Sequence, residues 1–287
     1  MDLRYSQSVQ GLIPAGTAAN SEEGWQAKLH CQFDAGPNKT IVRRSHVGPL
    51  SVQRPFYPEG DVAHVYMLHP PGGVVGGDQL LVDVQVNANA AGLLTTPGAT
   101  KFYRTDGKRA CVKQRLANQG GSLEWFPQEN IFFDGANVKL DTQVKTSSSS
   151  PLAFWEINCF GRRAGNLPFK RGSIVTKLSV YRDSILTLLD RFVLNDGATL
   201  TRSTGLRANT VSGLMLLSPL PAESVDAARS ELSNESAFCM TCIDDMLLVR
   251  YLGDSAEHAK AGFVKIWTQQ RMGLSKRKAC APRIWLT

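Results

Sequence analysis

No apolar stretch in this chain approaches the roughly 18 residues that a membrane-crossing helix requires. Its first twenty residues carry no apolar core behind a basic start of the kind that directs secretion. The expectation is a soluble, unexported, cytoplasmic protein. Cysteine is sparse: Cys31, Cys111, Cys159, Cys239, Cys242 and Cys280 are spread over 287 residues. A chain of that length buries a core without disulfide staples, which fits a reducing compartment. Nucleotide and nucleophile signatures are also missing. Gly107-Lys108 has neither the earlier glycine nor the following hydroxyl of a phosphate-cradling loop. No Gly-x-Ser-x-Gly elbow lifts a serine from a strand end, and no His-Glu-x-x-His pair is present for zinc. The glycines at 72, 73, 76 and 77 miss the Gly-x-Gly-x-x-Gly spacing and lie between strand-like runs instead of opening a helix. Nothing in the sequence proposes a catalytic nucleophile.

Positive charge is in modest excess, with a net +7 and 43% hydrophobic residues. Such a balance fits a solvated basic face, a protein-docking surface or a nucleic-acid site. The densest cluster, Lys276-Arg277-Lys278, is accompanied by no recognised nucleic-acid module. A solvated face or a docking surface is therefore favoured over nucleic acid.

Strand patterning dominates from residue 25 to about 217. Val138, Leu140, Thr142 and Val144 alternate with Asn137, Lys139, Asp141, Gln143 and Lys145, the mark of a half-buried strand. Val82, Val84 and Val86 form one inward row, and Ile174, Thr176, Leu178 and Val180 another. Asp106-Gly107, Gly120-Gly121, Asp134-Gly135 and Asp196-Gly197 break the runs at intervals too short for crossover helices. The predicted fold is mainly β: many short strands in a layered, solenoid-like assembly, with two α-helices in the C-terminal part. One helix opens at Pro221 and carries Val225, Ala228 and Leu232; the other is capped by Asp254 with Glu257 and carries Ala259, Phe263, Ile266 and Trp267. Residues 1–287 are expected to form a single domain whose first 24 residues are flexible, and residues 147–151 a mobile polar loop.

Three islands hold the unusual residues. His69-Pro70-Pro71-Gly72-Gly73-Val74-Val75-Gly76-Gly77-Asp78 joins the strand-like runs 62–68 and 80–86, and its glycines call for positive φ or close backbone approach. The second runs from Thr95 through Pro97-Gly98 to Lys101-Phe102-Tyr103-Arg104, and the third from Glu124-Trp125-Phe126-Pro127 to Phe133-Asp134-Gly135-Ala136. Glu59, Asp61, Asp78, Asp83, Glu124, Glu129 and Asp134 fall in or beside these islands among aromatics, and Glu156 and Asn158 share a strand face with Phe154 and Phe160. A buried carboxylate must find arginine, backbone N–H, water or metal. Arg54, Lys101 and Arg104 are available to some of them; if several instead line a wet passage, they would attract hydrated cations. His69 and Asp78 close the two ends of the glycine turn, where they either bond backbone groups or ligate a first-row divalent ion. Cys239 and Cys242 are either buried small residues or two thiolates on one ion without a second pair to complete the site.

The islands, with Arg43-Arg44-Ser45-His46-Val47-Gly48-Pro49-Leu50 and its continuation to Gly60 upstream and Pro282-Arg283-Ile284-Trp285 at the end, resemble the UreD (UreH) family of urease accessory proteins. The resemblance spans about residues 25–285. It implies a mostly β fold with two helices and no hydrolysis by the chain itself. It also implies partners: UreF, the GTPase UreG recruited through UreF, and apo-urease. Nickel would be transient cargo with no tightly bound cofactor, and Glu59, Asp61, His69, Asp78, Glu124, Glu129 and Asp134 are candidates to line its route. The segment 161–169 departs from the family pattern, because Arg162, Arg163, Asn166 and Leu167 leave it without the acidic residue that follows the Gly-Arg pair in relatives. A reading from another class is a β-rich glycoside hydrolase in which Glu124 and Glu129 act as acid and base.

Overall fold

Period-two patterning becomes two stacked sheets in the computed structural model, which describes residues 24–162 and 165–286. The segment expected to be flexible, apart from Gly24, lies outside the described residues. In chain order the first strands are β1 (Gln26–Ala35), β2 (Thr40–Val47), β3 (Ser51–Val52), β4 (Ala63–Leu68), β5 (Gln79–Val86), β6 (Ala91–Thr95), β7 (Thr100–Phe102), β8 (Ala110–Asn118) and β9 (Ser122–Phe126). There follow β10 (Asn130–Phe132), β11 (Asn137–Thr146), β12 (Leu152–Arg162), β13 (Leu167–Pro168), β14 (Arg171–Arg182), β15 (Ile185–Asp196), β16 (Val211–Ser218), β17 (Phe238–Ile243) and β18 (Met246–Gly253). A seven-stranded sheet has the order β15-β14-β11-β8-β5-β1-β2, and an eleven-stranded sheet contains the path β17-β18-β16-β12-β9-β6-β4-β3.

From β4 onward the chain crosses repeatedly between the sheets. β1, β5, β8, β11 and β14 pair in parallel, as do β4, β6, β9 and β12. Parallel neighbours need a long crossover, and here the crossover is a strand of the opposite sheet. This is the winding of a solenoid, in which each coil rests on the one before. The second half of the eleven-stranded sheet is antiparallel, with β16 beside β12 and β18 between β16 and β17.

The three islands lie on successive coils along one edge. Val74 bridges to Phe102, which is in register with Phe132 and then Phe160. Phe102, Phe132 and Phe160 stack with ring centroids 4.9 and 5.6 Å apart. Gly73 is required beneath Tyr103, because a Cβ there would meet the ring at 2.1 Å.

Alternation then sets two cores. Between the sheets lie Val82, Val84, Leu140, Val144, Ile174 and Leu178 with Phe154 and Phe160 of β12. The other face of β12 presents Ala153, Trp155 and Ile157 to a helical layer. That layer holds the two expected helices, α2 (Ser224–Glu231) and α3 (Ala256–Ser275), after a single-turn α1 (Ala198–Thr201). Their starts differ from the sequence reading. Pro221 precedes α2, its carbonyl accepting the Ser224 N–H at 3.0 Å. Ser255, not Asp254, caps α3 by accepting the His258 N–H at 3.1 Å, while Asp254 accepts from the Thr210 N–H at 2.9 Å. The polar loop 147–151 is tied down: Ser147 and Ser150 hydroxyls meet at 2.6 Å, and Arg182 donates to the Ser148 carbonyl at 3.2 Å.

Candidate functional site

The acidic residues singled out in the sequence separate into distinct environments. Glu59 and Glu124 converge on Arg271, which α3 delivers to the interior at 1% exposure. The guanidinium donates to Glu124 Oε1 and Oε2 at 2.9 and 2.8 Å and to Glu59 Oε1 at 2.8 Å. Trp267 Nε1 adds a bond to Glu124 at 2.8 Å, and His64 Nε2 meets Glu59 at 2.7 Å. Burial works against the Glu59 charge, yet hydrogen bonds from His64 and Arg271 hold its carboxyl below the usual range. Asp61 is paired through both oxygens with Arg277 at 2.6 Å each. The neutralising cations are thus Arg271 and Arg277 from the far end of the chain, in place of Arg54, Lys101 or Arg104. Lys276-Arg277-Lys278 is accordingly part of a clasp: Lys276 ends α3 in the left-handed region with φ 59°, and the Lys278 carbonyl accepts from Arg271.

Asp78 and Asp134 bond backbone. Asp78, 1% exposed, accepts from the Trp25 and Val75 N–H groups at 2.8 and 2.9 Å. Asp134 accepts from the Lys170 and Arg171 N–H groups at 2.8 and 2.9 Å. Glu129 is half-buried on the loop before β10, and its charge is felt by Lys260 and Cys159. Glu124 at 3% exposure, locked to Arg271 and Trp267, cannot face Glu129 across an open cleft as a glycosidase pair must. Among the described residues no three His, Cys, Asp or Glu side chains form a group able to hold a metal ion.

His69 is placed differently. Its Nε2 is enclosed without a hydrogen-bond partner, and burial lowers its pKa against the opposing pull of Asp78. It lines a cavity of about 310 Å³ at the glycine turn with Thr96, Thr100 and Lys101. It also lines a narrower cavity of about 70 Å³ between the sheets, which reaches Gln114, Asn130 and Glu156. Glu156 in turn lines a third cavity of about 330 Å³ with Asn158, Thr176, Asp190 and Arg250. His69 is thus a wall common to the first two cavities, and Glu156 a wall common to the second and third.

Glu156 is the functional candidate that the sequence reading noticed without assigning. Its carboxylate accepts from Asn158 Nδ2 at 2.8 Å, and Asn158 Oδ1 accepts from Asn130 Nδ2 at 3.0 Å. Burial pushes the Glu156 carboxyl up to about 7, the Asn158 bond opposing and Asp190 reinforcing the shift. Across the gap the Thr142 hydroxyl donates to Gln114 Oε1 at 3.0 Å. A carboxyl with no cation of its own, on a wall of amides and hydroxyls, suits a hydrated visitor more than a resident ion. The signal was in the sequence: two polar residues, 156 and 158, on the inward face of a strand that otherwise reads as core.

Cysteine chemistry contributes nothing here. Cys239 is exposed and Cys242 only partly buried. Both lie on β17, where positions three apart point to opposite faces, so they cannot share one ion. Burial raises the Cys31 and Cys159 thiols to about 12, which leaves them unreactive.

Comparison with known proteins places this architecture among relatives. Residues 25–286 match the family model described as UreD urease accessory protein. The chain is 40% identical over 293 residues to the urease accessory protein UreD of Alcanivorax borkumensis, an alignment covering 98% of this chain and 100% of that one. Against the protein of the same name from Escherichia coli it is 41% identical over 276 residues, with 93% and 99% covered. The Klebsiella aerogenes protein is 37% identical over 269 residues, with 93% and 98% covered.

Proposed function

We propose, on the premise that this chain belongs to the UreD family of urease accessory proteins, that it is the noncatalytic scaffold through which nickel reaches apo-urease. In this reading it works in the cytoplasm as a single domain, docks on the apo-urease subunits, and binds UreF, which brings the GTPase UreG. An accessory protein serves the maturation of an enzyme and is not itself one. Hydrolysis of GTP would then belong to the partner, which accords with the missing phosphate-binding loop.

The observation that carries the reading is the run of three neighbouring cavities with His69 and Glu156 in their shared walls. Nickel would be cargo. An enclosed imidazole nitrogen and a carboxyl poised near neutrality offer it weak, successive oxygen and nitrogen contacts, and weak contacts let an ion leave as well as enter. Glu59, Asp61 and Glu124 would instead hold the scaffold together, with Asp78 and Asp134 fixing turns. Deletion of the gene in cells expressing the whole urease operon should leave the urease subunits present but nickel-poor and inactive, read by metal analysis of purified urease. Full nickel loading in the deletion strain would overturn the proposal.

A further inference from the structure

The seven-stranded sheet packs one face on the other sheet, and no described element packs on the opposite face. Parallel sheets are ordinarily covered on both sides. Strand register lays out charge on this open face in rows. Lys28 of β1, Lys113 of β8, Asp141 of β11, Lys177 of β14 and Arg191 of β15 share one row. Adjacent rows add Arg115, opposite Asp83, together with Lys139 and Lys145. Beyond the Arg43–Asp34 ion pair of β2 and β1 on the same face, seven cations stand against two carboxylates, a net excess of five on this face of a chain whose net charge is +7. Both carboxylates are engaged, Asp141 with Lys177 at 3.7 Å and Asp83 with His30 at 3.2 Å. Lys113, Arg115, Lys139 and Lys145 are exposed and have no ion pair among the described residues.

Strands about 4.8 Å apart, with same-face residues about 6.8 Å apart along each strand, put these cations within a Debye length of about 8 Å of their neighbours. Their potentials add, and they repel one another until an acidic surface is laid on them. The face is indented at one end by a cavity that Gln143, Lys145 and Tyr181 line, and none of the exposed aromatics among the described residues, Trp25, Phe56 and Tyr103, stands on its strands as a platform for bases, which favours a protein face over nucleic acid.

We infer that this open basic sheet face docks a net-acidic protein surface, and, resting on the function proposed above, that this surface belongs to apo-urease. The test is affinity capture of urease apoprotein by the full chain from co-expressing cells at increasing salt. Wild-type capture should fall as salt rises. The triple variant K113E/R115E/K139E should weaken capture about tenfold or more, while R202E/R207E/K265E, an equal charge change at exposed positions elsewhere, should retain it. Matched thermal midpoints establish that both variants are folded. The inference fails if the face variant captures as well as wild type or if both variants lose capture equally. It also fails if a DNA duplex displaces the apoprotein from the wild-type chain. No capture by wild type even at low salt would instead defeat the proposed function on which the inference rests.

Discussion

Glu124 and Glu156 stand on neighbouring strands of one sheet, β9 and β12, and face opposite ways. Glu124 points toward the helical layer, where Arg271 and Trp267 supply three hydrogen bonds to it. Glu156 points between the sheets, where the Asn158 amide is its partner and two of the three cavities adjoin. Chemistry at the two positions is identical, so environment alone divides them. A buried carboxyl saturated by arginine becomes a strut. One left with an amide and an aqueous gap retains its capacity for an incoming cation. The two faces of β12 repeat the lesson, with Trp155 stacked against Phe126 at 4.1 Å on one side and the Glu156–Asn158–Asn130 chain on the other.

The largest test of this contrast is Arg271→Met, which strands Glu59 and Glu124 without their cation. Stability to urea should fall by about 3–5 kcal/mol, and a loss under about 1 kcal/mol would break the contrast. Next comes pH dependence. A raised folded-state pKa means that the folded protein holds the Glu156 proton more tightly than the unfolded chain. Stability from this group is therefore full at low pH and declines as pH rises from the ordinary value of 4.5 to about 7. Glu156→Gln should flatten that decline in a urea–pH series, whereas the depressed Glu59 adds stability above its unfolded value that is lost as pH falls through its folded one. An unchanged slope in Glu156→Gln would place the carboxyl in water. Smallest is Thr142→Val, which removes a hydroxyl from the polar gap and should cost about 1 kcal/mol, read by the same unfolding curves.

Much of the fold was legible because alternation reports which side of a strand is buried. The rows at 138–144 and 174–180 turn inward as read. The pairing was not legible. Val82 opposes Gln114, Gln114 opposes Thr142 and Thr142 opposes Leu178, so the spacing between partners changes at every coil and no fixed repeat emerges. The stacked Phe102, Phe132 and Phe160 were the one visible trace of it. At the site, the sequence identified carboxylates that had to be neutralised but not their partners, because Arg271 lies 212 residues from Glu59 and only tertiary folding joins them. His69 was placed at the glycine turn for the right geometric reason, though its companion Asp78 is occupied by backbone.

That long-range clasp has a consequence for how the protein is made. Glu59, Asp61 and Glu124 leave the ribosome long before Arg271 and Arg277, their partners 147 to 216 residues further along the chain. Until α3 is made, the nascent solenoid carries Glu59 and Glu124 without their arginine, so the last turns of α3 act as a latch set late in synthesis.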